Sequence, residues 1–86
     1  MAKKQQPGAR GKGSRGLGHI DAQVGAHLRE YRIRAGLGQT DLGAKIGITF
    51  QQIQKYEKGL NAIATARLPA ICEALHISPN DLYGSL

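Results

Sequence analysis

Apolar side chains recur along this chain at intervals of three and four residues, which is the spacing of one face of an α-helix. No stretch shows the strict alternation of a strand. The pattern predicts five short helices, at about 21–35, 39–46, 50–58, 65–75 and from 79 onwards, with the segment LNAIA as an exposed loop before the fourth. The apolar stripes of the first four are Val24, Leu28, Tyr31 and Ala35; Leu42 and Ile46; Ile53 and Tyr56; and Leu68, Ile71, Cys72 and Leu75.

Capping residues mark where these helices begin and end. Asp21 is the expected N-cap of helix 1, and Thr49 that of helix 3. Gly47 and Gly59 stand where helices 2 and 3 would need a left-handed residue to stop. The run Ser78-Pro79-Asn80-Asp81 supplies an N-cap, a proline at the first helical position and an acid at the third, as a short helix 5 requires.

Helices 2 and 3 are separated by a tight turn, and the leading edge of helix 3 is left polar. Gln51 and Gln52 lie in its first turn, and Lys55 follows Gln51 by four residues on the same side. A glutamine amide can pair with adenine at two points, worth about 1–3 kcal/mol, and a lysine can donate to guanine or to a phosphate. The exposed Phe50 could touch a thymine methyl group, or pack partly against helix 2. The glutamines could also be ordinary solvated surface.

The segment from Val24 to Leu82 resembles the Cro/cI-type helix-turn-helix domain of phage repressors and small bacterial regulators. The matching motifs, in order, are RIRAGL, QTDLGAKIGI, TFQQIQKYEKG and RLPAICEALHISPNDLY. The resemblance implies an all-α fold, a compact five-helix lambda-repressor-like DNA-binding domain. Two glycines depart from the family: Gly38 replaces a capping residue and Gly43 an alanine. We expect them to loosen helix 2 by a few tenths and by about 1 kcal/mol, respectively.

The resemblance also assigns roles to individual residues. It implies that Arg32, late in helix 1, pairs with Glu57 at the end of helix 3 and fixes that helix in place. Gln39 has a separate reason to hold a phosphate, because free N–H groups at the start of helix 2 favour an anion. Arg67 is a phosphate candidate or a solvated charge. The resemblance implies base contacts by Thr49, Phe50, Gln51 and Lys55, and phosphate contacts by Gln39, Gln52, Lys58 and Asn61.

The net charge of +6 is concentrated in residues 1–19. That segment holds five basic and no acidic side chains, with five of the twelve glycines, whereas residues 20–86 hold seven basic and six acidic side chains. Such a composition predicts a disordered basic arm, followed by the folded domain at 20–86. The arm could follow the DNA backbone, enter the minor groove or be only a solubilising extension.

Several classes of chemistry find no support in the sequence. The three histidines lack metal-ligand spacing, and the single Cys72 lies on an apolar stripe, where a buried thiol is expected rather than a nucleophile or disulfide. GARGKGSRG lacks the flanking strand and helix of a phosphate-binding loop. No apolar run reaches the length of a membrane span or signal-peptide core. We expect a cytoplasmic protein without enzyme activity or cofactor.

The function expected from these features is sequence-specific regulation of transcription, as a repressor that inserts helix 3 into the major groove of double-stranded DNA. A module this small has few base contacts, so a homodimer on a pseudo-palindromic operator is expected. Helix 5 and residues 82–86 are the expected dimer surface. The alternatives are an antitoxin that binds a protein partner and regulates its own operon, and an RNA-binding or coactivator protein that uses the Arg/Gly-rich arm.

Overall fold

The computed structural model describes the backbone of residues 15–84 and the side chains of residues 19–84. Five α-helices and one 3₁₀ turn make up this part of the chain, and it contains no strand. The all-α, five-helix architecture expected from the sequence is therefore confirmed. In chain order the elements are α1 (Arg15–Arg34), α2 (Gln39–Ile46), α3 (Phe50–Glu57), the 3₁₀ turn Thr65–Arg67, α4 (Leu68–Leu75) and α5 (Pro79–Tyr83).

One aliphatic core joins all five helices. Each helix contributes one large side chain with no exposed surface, and fully burying a leucine or isoleucine is worth roughly 1.5–3 kcal/mol. Around these lie Val24, Tyr56, Ile63 and Leu75 as further buried members of the same cluster. The five fully buried side chains are Leu28, Leu42, Ile53, Ile71 and Leu82.

Helix α1 begins earlier than its sequence suggests. It starts at Arg15, so the expectation that Asp21 is its N-cap is wrong. The apolar stripe of α1 extends one turn further towards the N-terminus, because Ile20, one turn before Val24, packs against the core. At the other end Ala35 lies in the turn and is exposed, rather than continuing the stripe. Of the predicted arm, residues 1–14 lie outside the described residues.

Two apolar residues in the C-terminal half of the chain have a different role from the one expected. Ile63 lies in the segment LNAIA, predicted to be an exposed loop, yet it is buried in the core. Leu82, expected on a dimer surface, is fully buried within its own chain. His27 of α1 fixes this arrangement, because its Nδ1–H donates to the Leu82 carbonyl oxygen at 2.6 Å. Helix α5 therefore cannot offer Leu82 to a second copy.

The predicted helix ends are largely confirmed. Thr49 Oγ1 accepts a hydrogen bond from the Gln52 N–H at 3.2 Å, and the expected capping box joins Ser78 to Asp81. Gly47 and Gly59 have φ of 80° and 74°, the left-handed values that favour glycine. Helix α3 stops one residue early, and helix 4 begins as the 3₁₀ turn.

Gly43 is closely packed at the turn between α2 and α3, a constraint that helix propensity alone does not include. A Cβ at this position would lie 2.6 Å from the Ile48 carbonyl oxygen, because the chain folds back over it. The N–H groups of Gly47 and Ile48 both donate to the Gly43 carbonyl, at 2.8 and 2.9 Å. Gly38 lacks a side-chain cap, but its N–H donates to Asp41 Oδ2 at 2.8 Å. In this arrangement a side chain at position 43 requires the Ile48 backbone to shift.

We predict that Gly43→Ala destabilises the fold by about 1–3 kcal/mol, the usual cost of overpacking, although alanine is the better helix former. Ala44→Gly, at the next and exposed position of α2, provides the control and should cost about 1 kcal/mol through helix propensity alone. Urea unfolding followed by circular dichroism measures both. A stabilising Gly43→Ala substitution would show that propensity governs this position.

Candidate nucleic-acid interface

Helix α3 has a buried back and an exposed front. Ile53 and Tyr56 face the core with 0% and 4% of their surface exposed. The side chains at the front reach solvent. Four of them are predicted to contact bases, and we call these four the recognition edge. These are Thr49, Phe50, Gln51 and Lys55, all of them exposed.

The first turn of α3 is held by its cap. Because the Thr49 hydroxyl oxygen accepts the Gln52 N–H, the backbone at the start of the recognition edge has a fixed direction. Phe50 directly follows the cap and keeps 41% of its surface exposed. Part of the Phe50 ring is thus accessible to a ligand. The edge combines hydrogen-bonding groups with one apolar surface.

A buried ion pair holds the other end of α3. Arg32 of α1 donates from Nε to Glu57 Oε2 at 2.6 Å and from Nη2 to Oε1 at 3.0 Å. Its Nη1 donates to the Leu37 carbonyl at 2.9 Å, so the turn between α1 and α2 is tied in as well. Hydrogen bonding to Glu57 raises the pKa of Arg32, against the lowering effect of burial. The pair expected from the resemblance is confirmed.

Gln39 takes part in the same network, which the sequence did not reveal. It opens α2, and its Nε2 donates to Glu57 Oε1 at 3.0 Å. A side-chain amide has two N–H groups and an oxygen, so one donor can serve Glu57 while the rest of the amide is available to a phosphate. The predicted phosphate residue is therefore also a link between α2 and α3.

Two more of the predicted phosphate residues, one in the first turn of α3 and one after its end, are joined by a hydrogen bond. Gln52 Nε2 donates to Asn61 Oδ1 at 3.1 Å, and Asn61 Nδ2 donates to the Leu60 carbonyl at 2.9 Å. Lys58, the fourth, is the exposed C-cap residue of α3. Arg67 closes the 3₁₀ turn and is half-buried.

Two glycines allow α1 and the end of α3 to touch through their backbones. A Cβ at Gly25 would lie 2.7 Å from the Glu57 carbonyl oxygen, and one at Gly59 would lie 2.6 Å from Ala22 Cα. Sequence reasoning missed this contact. The only available signal was a glycine at position 25, beside Val24 inside an amphipathic helix, where glycine is otherwise unfavourable.

The part of the chain that the structure describes shows neither a metal site nor an activated cysteine. No group of three or more His, Cys, Asp or Glu side chains is arranged to hold a metal ion there. Burial raises the pKa of the Cys72 thiol, with Asp81 adding to the effect, so the unreactive protonated form is favoured. The helices of residues 15–84 include none with the length and hydropathy of a membrane span.

Comparisons with known proteins agree with this geometry. The helix-turn-helix family model matches residues 28–82. The chain is 48% identical over 64 residues to the uncharacterized HTH-type transcriptional regulator y4wC of Sinorhizobium fredii, covering 74% of this chain and 45% of that protein. It is 44% identical over 72 residues to an uncharacterized transcriptional regulator in the ATPase CF(0) region of Rhodospirillum rubrum, covering 84% and 66%. The aligned part spans less than half of the Sinorhizobium relative.

Solved structures share the fold. The restriction-modification controller protein C.AhdI from Aeromonas hydrophila superposes with a TM-score of 0.69 at 27% identity, covering 73% of this chain and 96% of that one. The clp gene regulator ClgR from Corynebacterium glutamicum superposes with a TM-score of 0.71 at 23% identity, covering 74% and 82%. The second likeness concerns the fold alone.

We predict that Arg32→Met lowers the free energy of unfolding by about 3–5 kcal/mol, because it leaves the Glu57 carboxylate buried without its charged partner. Glu30→Gln is the control, since it breaks the exposed Arg34–Glu30 pair, whose atoms are 2.7 Å apart, and should cost less than about 1 kcal/mol. Urea unfolding measures both. Equal, small losses would mean that the Arg32–Glu57 pair does not hold the helices together.

Proposed function

The chain belongs to the Cro/cI-type helix-turn-helix family of DNA-binding transcriptional regulators, and from that premise we propose that it binds a specific operator through α3 in the major groove. The observation that carries this proposal is the recognition edge, whose side chains are exposed while the back of the same helix is buried and ion-paired. A rigid helix with free hydrogen-bonding groups near its N-terminus suits the reading of base edges.

Within the recognition edge, we assign direct hydrogen bonding to two residues. Gln51 would pair with adenine through its amide, and Lys55, four residues on, would donate to guanine. Both side chains are exposed, and no hydrogen bond within the described residues engages either of them. Thr49 can add its hydroxyl hydrogen, because its oxygen alone is used by the cap.

Phosphate contacts would fix the register of the helix on the duplex. Gln39 lies at the start of α2. Gln52 lies on α3, Lys58 caps its end, and Asn61, bonded to Gln52, follows it. Contacts at both helices would hold the protein across one groove, since phosphate contacts position a protein without reading sequence. The basic N-terminal segment would add further, sequence-independent attraction.

We further propose that the chain acts as a homodimeric repressor in the cytoplasm. One α3 reaches only a few base pairs, so two copies on half-sites about one helical turn apart would give a specific site. C.AhdI, which shares the fold, is named as a restriction-modification controller protein. Repression would follow from occupying the operator.

We predict that selection from random duplex DNA with the full chain enriches a motif with two-fold symmetry. Gln51→Ala combined with Lys55→Ala should weaken binding to that motif at least tenfold, since each good base pair contact is worth about 1–3 kcal/mol. Fluorescence anisotropy at fixed salt measures the affinities.

The control for this experiment is Gln23→Ala combined with Lys45→Ala, which removes the same residue types from exposed positions on α1 and α2. It should leave affinity for the motif within about twofold. Failure to enrich any motif would contradict the proposed function. Loss of binding on deletion of residues 1–14, with no effect of the Gln51 and Lys55 substitutions, would favour nucleic-acid binding through the arm instead.

A further inference from the structure

Phe50 is an exposed apolar residue in the middle of a polar surface. Among the described residues three large hydrophobic side chains are exposed: Ile33 at 51%, Leu60 at 66% and Phe50 at 41%. Phe50 alone of these lies on the recognition edge. It has no part in the hydrophobic core or in the shell of apolar residues packed against the core.

The position of Phe50 is fixed even though its ring is accessible. It is the first residue of α3, directly after the Thr49 cap, whose hydrogen bond to Gln52 sets the first turn. Ile53 and Tyr56 already fill the inward face of the helix. The exposed part of the Phe50 ring is therefore available to a ligand, and the cap fixes the backbone from which the ring projects.

The major groove offers such a ring one main apolar partner. Hydrogen-bond donors and acceptors line the groove, and the exception is the C5 methyl group of thymine. A 5-methylcytosine carries the same methyl on the same ring carbon, next to a different hydrogen-bonding group. A phenyl ring cannot tell these two pyrimidines apart by hydrogen bonding, but it gains by covering either methyl group.

We propose that Phe50 recognises a pyrimidine C5 methyl group in each half-site, so that the protein distinguishes thymine from uracil, and 5-methylcytosine from cytosine, at that position. The inference rests on the proposed function and adds a substrate property to it, namely sensitivity to a single methyl group. Gln51 and Lys55 on the same edge supply hydrogen bonds, whereas the Phe50 contact is apolar and independent of them.

The test uses the full chain and the duplex obtained by selection. Each thymine of a half-site is replaced in turn by uracil, and affinities are measured by anisotropy for the wild type and for Phe50→Ala, Phe50→Leu and Leu60→Ala. Phe50→Leu retains an apolar side chain, and Leu60→Ala removes an exposed hydrophobic residue outside the recognition edge. The second arm uses the position at which uracil weakens binding. Duplexes with cytosine and with 5-methylcytosine at that position are compared in affinity. Thermal unfolding checks that every variant is folded.

The wild type should bind about fourfold more weakly when uracil replaces thymine at one position of one half-site, the loss expected for one uncovered methyl group. Phe50→Ala should bind both duplexes equally, Phe50→Leu should retain part of the difference, and Leu60→Ala all of it. At the same position, 5-methylcytosine should be preferred over cytosine by a similar factor.

Two results would overturn the inference while leaving the proposed function intact. In the first, a motif is enriched but no uracil substitution weakens wild-type binding. In the second, the uracil penalty is the same in Phe50→Ala as in the wild type, which would assign the methyl contact to another residue. If selection enriches no motif, the proposed function and this inference fail together.

Discussion

The fold depends on one buried network that joins three helices at the end of α3. The Glu57 carboxylate of α3 accepts hydrogen bonds from Arg32 of α1 and from Gln39 of α2. Arg32 also donates to the Leu37 carbonyl in the turn between α1 and α2. A helix of eight residues has little stability of its own in water. The direction in which α3 presents its exposed side therefore depends on what holds its other side.

Close backbone packing completes this support. Gly25 and Gly59 bring α1 against the last turn of α3, and Gly43 lets the turn before α3 fold over α2. Side chains at these positions would push the helices apart and shift the recognition edge. The molecule thus separates two tasks on one helix: the back and the ends fix its position, and the front is left free for a ligand.

Much of this arrangement could be predicted from the sequence, because it depends on local signals. Helical spacing located α2 to α4, and the start signal at Ser78 located α5. The caps at Thr49 and Ser78 are short-range hydrogen bonds between neighbouring residues. The exposed front of α3 followed from the same periodicity. The Arg32–Glu57 pair is a long-range contact, and it was predictable only through resemblance to a family.

The features that were missed are set by contacts distant in sequence. Ile20 extends α1 backwards because the core reaches that far, and Leu82 is buried because α5 packs on α1. Helix propensity predicts that Gly43 is unfavourable in α2, yet the backbone of Ile48 leaves no space for a Cβ at this position. The second role of Gln39 likewise depends on where Glu57 lies in three dimensions.

The central claim is that the front of α3 contacts the DNA bases while its anchored back remains unchanged. Titration of the ¹⁵N-labelled full chain with its selected duplex, followed by NMR, tests this most directly. We expect the largest shifts at the backbone amides of residues 49–55 and at the Gln51 side-chain amide, present with the selected duplex and much smaller with a scrambled one. Shifts confined to residues 1–14, with α3 unaffected and no difference between the two duplexes, would contradict the account.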